Sequence, residues 1–385
     1  MKFGIVSRLS DSLFQYQGWP TVCRDDDGVL YVGASSFRLG HLCGFGKNAL
    51  YVSRDGGESW SCPKVFNDSI LDDRDVGLCY LGGKSLIATW FVNPYEIYKR
   101  ESMQKWIDAA PLHIRSLARN IVASWDENPV DKHMLDGHFL KVTHDGGESW
   151  SEARLAPVSS PHGPILLKNG SVFFFGKLVK DFGFGGTLGG INAFTSDDEG
   201  KSWKHLSTVK FPDSCYGEGQ CDICEPYAIE LKSGRILGMI RMQGEGIAAS
   251  LGDMCEDLKQ YKFTMFKTFS DDGGLSWSIP EPVGFLGAPP HLIELSTGEI
   301  VLTYSRRKVG TQGIFARVSR DGGKTFSKET LIGPEAYIWD QGYPSTVELD
   351  DGTLMTVYYQ RYENDSYCSL LYTKWKLSEI TSSAL

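Results

Sequence analysis

The chain has no run of about 18 consecutive apolar residues, so it contains no candidate for a membrane-spanning helix. Its first residues, Met1 to Asp11, have no unbroken apolar core, which excludes a recognisable signal peptide. This favours a cytoplasmic location, with a processed secreted form left open. An excess of positive charge is also absent, because the net charge is −9 over 385 residues, and this argues against a nucleic-acid partner.

A disulfide framework is not indicated, since the nine cysteines are an odd number spread over a long chain. One close group occurs, Cys221-Asp-Ile-Cys224 with Cys215 nearby, and it could be half of a metal site. A zinc site needs a second pair at suitable spacing, which the sequence does not provide. We therefore expect neither a metal nor another cofactor.

Glycine, in contrast, is abundant with 43 residues, and many of them belong to a repeated turn. The repeat has the pattern S/T-x-D-x-G-x-S/T-W/F. An aspartate can accept hydrogen bonds from the backbone of its own turn, and a glycine tolerates positive φ, so the pattern predicts a hairpin turn. Its five copies are Ser53–Trp60, Thr143–Trp150, Ser196–Trp203, Ser270–Trp277 and Ser319–Phe326.

A second repeat precedes each turn and consists of two apolar strands joined by a glycine turn. Its six copies begin at Gly18, Asp75, His162, Glu225, Pro290 and Tyr343. Six such units predict six four-stranded blades, which can bury their faces against one another by closing into a ring. The expected fold is therefore all-β, a six-bladed β-propeller that forms one domain over residues 1–385.

The last unit has no aspartate turn, and its final strand, Ser369 to Trp375, is near the C-terminus. Counting of strands predicts that the N-terminal segment Phe3 to Ser7 pairs into this blade and closes the ring. The second unit is longer than the others, and its extra residues, 94–133, have apolar residues at helical spacing. They predict a helical insertion in the second blade, more in keeping with a lid on the rim than with a dimer contact. A smaller excess covers residues 244–261, and the oligomeric state cannot be read from the sequence.

Basic residues recur where the inner strands begin and where the second strands end, and a propeller brings these positions to one mouth. Such a cluster of guanidinium groups suits a carboxylate or sulfate. The alternative for each arginine is an ion pair with a neighbouring acidic residue inside the funnel. The candidate binding residues are Arg38, Arg74, His162, Tyr227, Arg241 and Arg306.

Tyr343 and Glu225 begin two of the inner strands and form a candidate catalytic pair. A tyrosine is a poor nucleophile at its usual pKa near 10, but a carboxylate within hydrogen-bond reach can accept its proton during attack. Nearby arginines would favour the phenolate. The alternatives are a sugar-stacking or core tyrosine, and a glutamate that only pairs with an arginine.

His41, in a glycine-rich loop, and Asp73, at the start of the second unit, are the candidates for a general acid/base. A buried acid with a raised pKa would need apolar neighbours. For both residues the alternative is an ordinary role in a turn or as a local cap. His162 could bind a substrate hydroxyl, or could be a hydrogen-bonded structural histidine.

Five Asp-box turns on a six-blade pattern resemble the sialidase (neuraminidase) superfamily, over nearly the whole chain except the helical insertion. Segments around Glu225 and Arg241, around Arg306, and around Tyr343 are similar to the family's glutamate strand, its second and third triad arginines and its nucleophilic tyrosine. The first triad arginine is missing, because Gly18-Trp19-Pro20 replaces its Arg-Ile-Pro motif. Arg74 or Arg38 could replace that arginine, and His41 or Asp73 the acid.

The resemblance implies an exo-acting glycoside hydrolase that cleaves a terminal, acidic sugar, sialic acid or a uronate-linked residue, from a glycan. One alternative is a polysaccharide lyase or rhamnosidase-type enzyme that uses His41 and Tyr343. The other is a propeller that binds glycans without catalysis.

Overall fold

The computed structural model describes residues 1–10, 12–128, 131, 135–215, 222–244 and 263–381. Cys221 of the cysteine pair, His133 at the end of the expected insertion and nearly all of segment 244–261 lie outside these residues. Among the described residues, none of the helices has the length and apolar character needed to cross a membrane.

Six four-stranded antiparallel sheets surround a common axis and form a six-bladed β-propeller, as the repeats predict. The first strand of the chain, β1 (Lys2–Ser7), is the outermost strand of the sixth blade. The first blade contains β2 (Tyr16–Arg24), β3 (Leu30–Arg38), β4 (Lys47–Ser53) and β5 (Lys64–Asn67). The second contains β6 (Asp73–Gly82), β7 (Ser85–Val92), β8 (Gly137–Thr143) and β9 (Arg154–Leu155).

The third blade contains β10 (Ile165–Leu166), β11 (Val172–Lys177), β12 (Ile191–Ser196) and β13 (Lys204–Thr208). The fourth contains β14 (Asp222–Glu230), β15 (Ile236–Gln243), β16 (Phe263–Ser270) and β17 (Glu281–Leu286). The fifth contains β18 (His291–Glu294), β19 (Ile300–Arg306), β20 (Gly313–Ser319) and β21 (Thr330–Leu331). The sixth contains β22 (Gly342–Glu348), β23 (Leu354–Arg361) and β24 (Cys368–Trp375) beside β1.

The ring closes as predicted, because β1 pairs antiparallel with β24. Phe3 lies opposite Thr373, and Gly4 lies opposite Tyr372. A short helix, Leu377–Thr381, follows the last strand. The first and last strands are therefore held together in one sheet by backbone hydrogen bonds.

The Asp-box turns connect the third and fourth strands of the first five blades. In the first turn Asp55 accepts hydrogen bonds from the backbone amides of Glu58 and Ser59 at 3.1 and 2.9 Å and from the Ser59 hydroxyl at 2.5 Å. The amide of Gly57, at φ +90°, donates to the Ser53 hydroxyl at 2.8 Å. The residues of the repeated pattern thus provide the hydrogen-bond partners for the backbone of their own turn. The turn lies between the two outer strands of each blade, away from the inner strand.

The core is divided among the interfaces between neighbouring blades. One apolar cluster joins the third and fourth blades through Phe173 and Phe266, and another joins the fourth and fifth through Met239 and Leu302. Burial of such side chains contributes about 25 cal/mol per Å² of apolar surface, so each interface stabilises two blades at once. The blades are held as wedges, with their inner strands around the axis.

The insertion in the second blade is helical, as predicted. It has a 3₁₀ turn at Tyr95–Lys99, then α1 (Glu101–Ala109) and α2 (Leu112–Glu127). Its Trp125 is buried and packs with the loop after β3, and its Tyr98 donates a 2.5 Å hydrogen bond to the Asp72 carboxylate. The two helices therefore cover the rim at the first and second blades.

Candidate active site

Four inner strands contain a bulky residue with positive φ at the same place in the repeat. These residues are Trp19 (φ 54°), Asp75 (54°), Glu225 (46°) and Tyr343 (52°). Each lies within the stretch where the pairing register with the second strand shifts. Such a backbone costs about 1–3 kcal/mol per residue and persists where the surroundings impose it, commonly at functional sites. The repeat thus directs four different side chains toward one region.

Tyr343 and Glu225 are brought together, with the phenol donating a 2.5 Å hydrogen bond to Oε1 of the glutamate. Arg241 donates to the other carboxylate oxygen at 2.5 Å, and its Nη1 is 3.4 Å from the phenol oxygen. The Nη2 of Arg241 donates a 2.5 Å hydrogen bond to Oε1 of Gln243. Glu225 therefore bridges a tyrosine and an arginine, so it can accept the phenol proton while Arg241 balances its charge.

The phenol of Tyr343 is 4% exposed and is protonated at neutral pH. Burial raises its pKa well above 10, and the charge of Glu225 raises it further, while Arg241 and Arg307 offset only part of this. The two arginines do favour the phenolate, as expected from the sequence, but burial outweighs their effect on the pKa of Tyr343. Attack by this oxygen needs transfer of its proton to Glu225.

Arg307, and not Arg306, is the arginine that faces this pair. The guanidinium carbon of Arg307 lies 5.8 Å from the centre of the Tyr343 ring. Its described hydrogen bonds are with neutral oxygens, those of the Gln341 backbone at 3.2 Å and the Tyr359 hydroxyl at 3.1 Å. Neither of these partners carries a charge.

The structure places Arg306 elsewhere. Its guanidinium pairs with Glu329, donates from Nε to the Thr311 backbone oxygen at 2.9 Å and lies over the Phe315 ring. Arg307, the residue directly after β19, instead contacts the sixth blade through Tyr359 and Tyr343. The prediction that Arg306 joins the cluster is corrected to Arg307.

Asp75, and not Asp73, is the acidic residue of the second blade that lines the site. Asp73 is fully buried, and its carboxylate accepts from the Ser69 amide at 2.7 Å and the Ser69 hydroxyl at 3.1 Å. Asp75 lines the cavity beside Glu225, and its Oδ1 has no hydrogen-bond partner among the described residues. Burial raises the pKa of Asp75 to about 7, with Arg74 opposing and Glu225 adding to the shift.

Trp19 stands where the first blade contributes its inner residue, and it is enclosed by two arginines. The guanidinium carbons of Arg74 and Arg38 lie 4.0 and 5.0 Å from its ring centre. Its ring centre is 6.4 Å from that of Tyr343 and 5.0 Å from that of His41. The indole is therefore a neighbour of both Tyr343 and His41.

The two arginines differ in how their charges are used. Arg38 is fully buried and forms a two-point ion pair with Asp72, at 2.6 and 3.0 Å, and it also donates to the His41 backbone oxygen at 3.1 Å. Arg74 lies 3.6 Å from Asp75, and its Nε has no hydrogen-bond partner among the described residues. Arg74 is thus a candidate for anion binding, whereas Arg38 supports the loop that carries His41.

His41 is held by an aspartate that the sequence analysis did not identify. Its Nδ1 lies 2.9 Å from Oδ1 of Asp340, which also accepts from the hydroxyls of Tyr16 at 3.0 Å and Tyr359 at 3.2 Å. Donation from Nδ1 leaves Nε2 as the nitrogen available for proton exchange. Burial lowers the pKa of His41, and the bond to Asp340 opposes that shift.

His162 and Tyr227 lie on the axis, away from this cluster. Nδ1 of His162 lies 3.1 Å from the Thr21 hydroxyl, and its ring is 4.9 Å from that of His291, on which Tyr227 stacks at 4.7 Å. Tyr227 also lines a cavity at the opposite ends of the inner strands. The structure therefore does not bring these two residues to the candidate site, and they fill the ring's centre behind it.

A cavity of about 460 Å³ opens beside Glu225, between the second, third and fourth blades. Its wall contains Asp75, Glu225 and Arg241, together with Lys177, which pairs with Asp222 at 3.0 Å. This size suits a small ligand. The arrangement offers guanidinium groups for an anion, a phenol with a base beside it, and a carboxylic acid with a pKa near neutrality.

These features define a six-bladed Asp-box propeller with a pocket lined by both acidic and basic side chains. A family model for the BNR/Asp-box repeat matches residues 51–61. A sialidase from Micromonospora viridifaciens is 26% identical over 243 residues, which are 55% of this chain and 34% of that protein, so the aligned region spans about a third of the relative.

Two solved structures have the same fold. A protein of unknown function from Dyadobacter fermentans has a TM-score of 0.68 at 18% identity, with 97% of each chain covered. The NanB sialidase from Streptococcus pneumoniae has a TM-score of 0.64 at 14% identity, with 98% of this chain and 71% of that chain covered. Together with the Asp-box turns, these comparisons show that the chain has the propeller fold found in sialidases and is similar in sequence to one sialidase.

Proposed function

We propose that this protein is an exo-acting glycoside hydrolase that removes a terminal acidic sugar from a glycan, with Tyr343 as nucleophile. The observation that carries the proposal is the 2.5 Å hydrogen bond from the Tyr343 phenol to Glu225, whose other oxygen binds Arg241. A buried tyrosine with its own proton acceptor is equipped for attack on an anomeric carbon. The sialidase relative supports a glycoside substrate.

The acidic group of the sugar would bind Arg307 and Arg241, with Arg74 nearby. Arg307 has neutral hydrogen-bond partners, and Nε atoms of Arg74 and Arg241 have none among the described residues. Guanidinium groups bind carboxylates through two parallel hydrogen bonds, which fixes orientation as well as affinity. The carboxylate is bonded to the anomeric carbon in a sialic acid and to C5 in a uronate. In either case its binding to these arginines would hold the sugar ring against Tyr343.

Cleavage would proceed in two displacements. The Tyr343 oxygen bonds to the anomeric carbon as its proton passes to Glu225, and the bond to the leaving oxygen breaks as that oxygen receives a proton from an acid of the site. Water then attacks the anomeric carbon and returns a proton to that acid, while the tyrosyl–carbon bond breaks and the phenol regains its proton from Glu225. Two groups are suited to supply the acid proton, Asp75 and His41.

A lyase acting on uronates is the second candidate, because the Asp340-bound imidazole of His41 could remove a carbon-bound proton. That reaction would use His41 and Tyr343 on one sugar. The sialidase relative favours the hydrolase. The two reactions differ in product, since only elimination creates an unsaturated uronate that absorbs in the ultraviolet.

Turnover should be measured on 4-methylumbelliferyl glycosides of N-acetylneuraminic acid, glucuronic acid and galacturonic acid. We expect release from at least one of them and a loss of about 100-fold or more in Tyr343→Phe. Tyr358→Phe is the matched control, because Tyr358 is also buried and hydroxyl-bonded, to Thr373 at 3.0 Å, but lies outside the site.

The nucleophile can be tested independently with 3-fluorosialosyl fluoride, or with the fluorinated uronosyl fluoride if a uronate is the substrate. Mass spectrometry should find the sugar bonded to Tyr343. Full activity in Tyr343→Phe would overturn the assignment. Binding of acidic sugars without turnover of any glycoside or natural glycan would instead support a non-catalytic glycan-binding propeller.

A further inference from the structure

A second cavity, of about 330 Å³, shares no lining residue with the cavity beside Glu225. His41 and Asp340 line it, and its walls come from both the propeller and the helical insertion. Trp339 precedes β22, and Trp106 belongs to α1. We call this cavity the Trp106–Trp339 groove.

The groove has the composition of a sugar site. Trp106 and Trp339 are 42% and 55% exposed, although indoles are among the side chains that proteins usually cover. The flat apolar face of a sugar ring packs on such aromatic surfaces, while its hydroxyls need donors and acceptors at the edge. His41, Asp340 and Ser366 supply those polar groups in the groove.

The charges of the groove favour a neutral ligand. Its lining includes one carboxylate, Asp340, and one guanidinium, Arg361. Oδ1 of Asp340 is already bound by His41, Tyr16 and Tyr359. This differs from the region around Tyr343, where Arg241 and Arg307 provide excess positive charge.

The position of His41 connects the two regions. Its ring centre is 5.0 Å from that of Trp19, which borders Tyr343, and 5.4 Å from that of Trp339, in the groove. Tyr359 joins them as well, because its hydroxyl accepts from Arg307 at 3.1 Å and donates to Asp340 at 3.2 Å. Tyr359 thus links Arg307, which faces Tyr343, to Asp340, which holds His41 in the groove.

We propose that the Trp106–Trp339 groove is a second sugar-binding subsite, which holds the neutral saccharide that leaves when the acidic terminal sugar is cleaved. His41, oriented by Asp340, is then the acid that donates the proton to the leaving oxygen. The assignment of the leaving group rests on the proposed hydrolase function. Binding of a neutral sugar in the groove can be tested without any turnover.

The first test is saturation-transfer NMR on the full chain with lactose and with the methyl glycosides of galactose, glucose and N-acetylglucosamine. We expect transfer to at least one sugar, unchanged in Tyr343→Phe and reduced about five-fold or more in Trp339→Ala and Trp106→Ala. Tyr337→Ala is the matched control, because Tyr337 is an 82% exposed aromatic residue two positions from Trp339 and outside the groove lining.

Absence of transfer to all four sugars, or equal transfer in wild type and Trp339→Ala, would overturn the subsite. The second test compares hydrolysis of methyl α-N-acetylneuraminide and sialyllactose, or of the matching uronides. Trp339→Ala should raise the KM for the longer substrate about ten-fold, which corresponds to about 1.4 kcal/mol of binding free energy. The KM for the methyl glycoside, which does not reach the groove, should change by less than about two-fold. Equal effects on both substrates would also contradict the proposal, whereas failure of all turnover would contradict only the hydrolase function.

Discussion

The guanidinium carbon of Arg74 lies 4.0 Å from the ring centre of Trp19, and the indole is 1% exposed. Removal of an enclosed indole leaves a cavity and ends its contacts with both flanking arginines. We expect Trp19→Ala to lower the free energy of unfolding by about 3–5 kcal/mol in urea denaturation. Trp339→Ala, at a 55% exposed position, should change the free energy of unfolding by less than about 1 kcal/mol. Equal effects of the two substitutions would show that Trp19 is not tightly packed.

The offset between Arg306 and Arg307 leads to a paired prediction. Arg307→Lys keeps the charge but removes the guanidinium fork that faces Tyr343. We expect it to lower kcat/KM on the acidic glycoside that is turned over by about 100-fold, which is about 2.7 kcal/mol of transition-state stabilisation. Arg306 pairs with Glu329 outside the site, so Arg306→Lys should leave kcat/KM within about three-fold of the wild-type value. The reverse order would return the role to Arg306.

Asp75 gives a prediction about pH and stability. Its pKa is about 7 in the folded protein because of burial, against about 3.9 in an unfolded chain. Between these values the folded protein retains a proton that the unfolded chain has released. The contribution of Asp75 to the free energy of unfolding is therefore fully present below about pH 4 and falls as pH rises through 7.

Asp75→Asn keeps a neutral side chain at every pH and should flatten this dependence. We expect the variant to be more stable than wild type at about pH 8, by the order of 2–4 kcal/mol, with a smaller difference at about pH 5. Urea unfolding at the two pH values measures both. Parallel pH dependences of wild type and variant would contradict the raised pKa of Asp75.

Asp340 should set the proton affinity of His41. The hydrogen bond from Nδ1 to this carboxylate raises the pKa of His41 against the lowering effect of burial and of Arg74. Asp340→Asn removes that charge, so we expect the pKa of His41 to fall further. An NMR titration of the imidazole proton, assigned with His41→Gln, measures the shift without any substrate. An unchanged or higher pKa in Asp340→Asn would mean that the carboxylate does not support the imidazolium.

The fold could be predicted because its signals are local. Each Asp-box turn satisfies its own backbone within a few residues, as around Asp55, so the pattern is legible without knowledge of distant contacts. Six repeats then leave few arrangements besides a closed ring, and the pairing of Phe3 with the last blade followed from counting strands. The helical spacing within residues 94–133 likewise predicted the insertion.

The site was predictable only in part, because side-chain direction in the inner strands depends on irregular backbone. Glu225, Arg241 and Tyr343 were found from the repeat and do meet. Asp73 and Asp75 would share a face in a regular strand, but the shifted register and the positive φ at Asp75 separate them. Alignment of Asp75-Val76 with Glu225-Pro226 and Tyr343-Pro344 was the available signal.

Other parts of the site carry no local pattern. Asp340 lies in the connection before β22, far in sequence from His41, and only the closed ring places the two side chains together. The prediction of Arg306 was wrong by one position. Nothing in the sequence determines whether Arg306, the last residue of β19, or the next residue, Arg307, faces the site. Such contacts follow from tertiary structure, which a motif does not encode.

The sheet shared by β1 and β24 holds the first and the last described strands of the chain side by side. A peptide linker could join them, and new ends could be opened at the Asp-box hairpins without cutting any strand. The architecture is therefore suited to circular permutation, with the seam free to move around the ring while the central pocket stays in place.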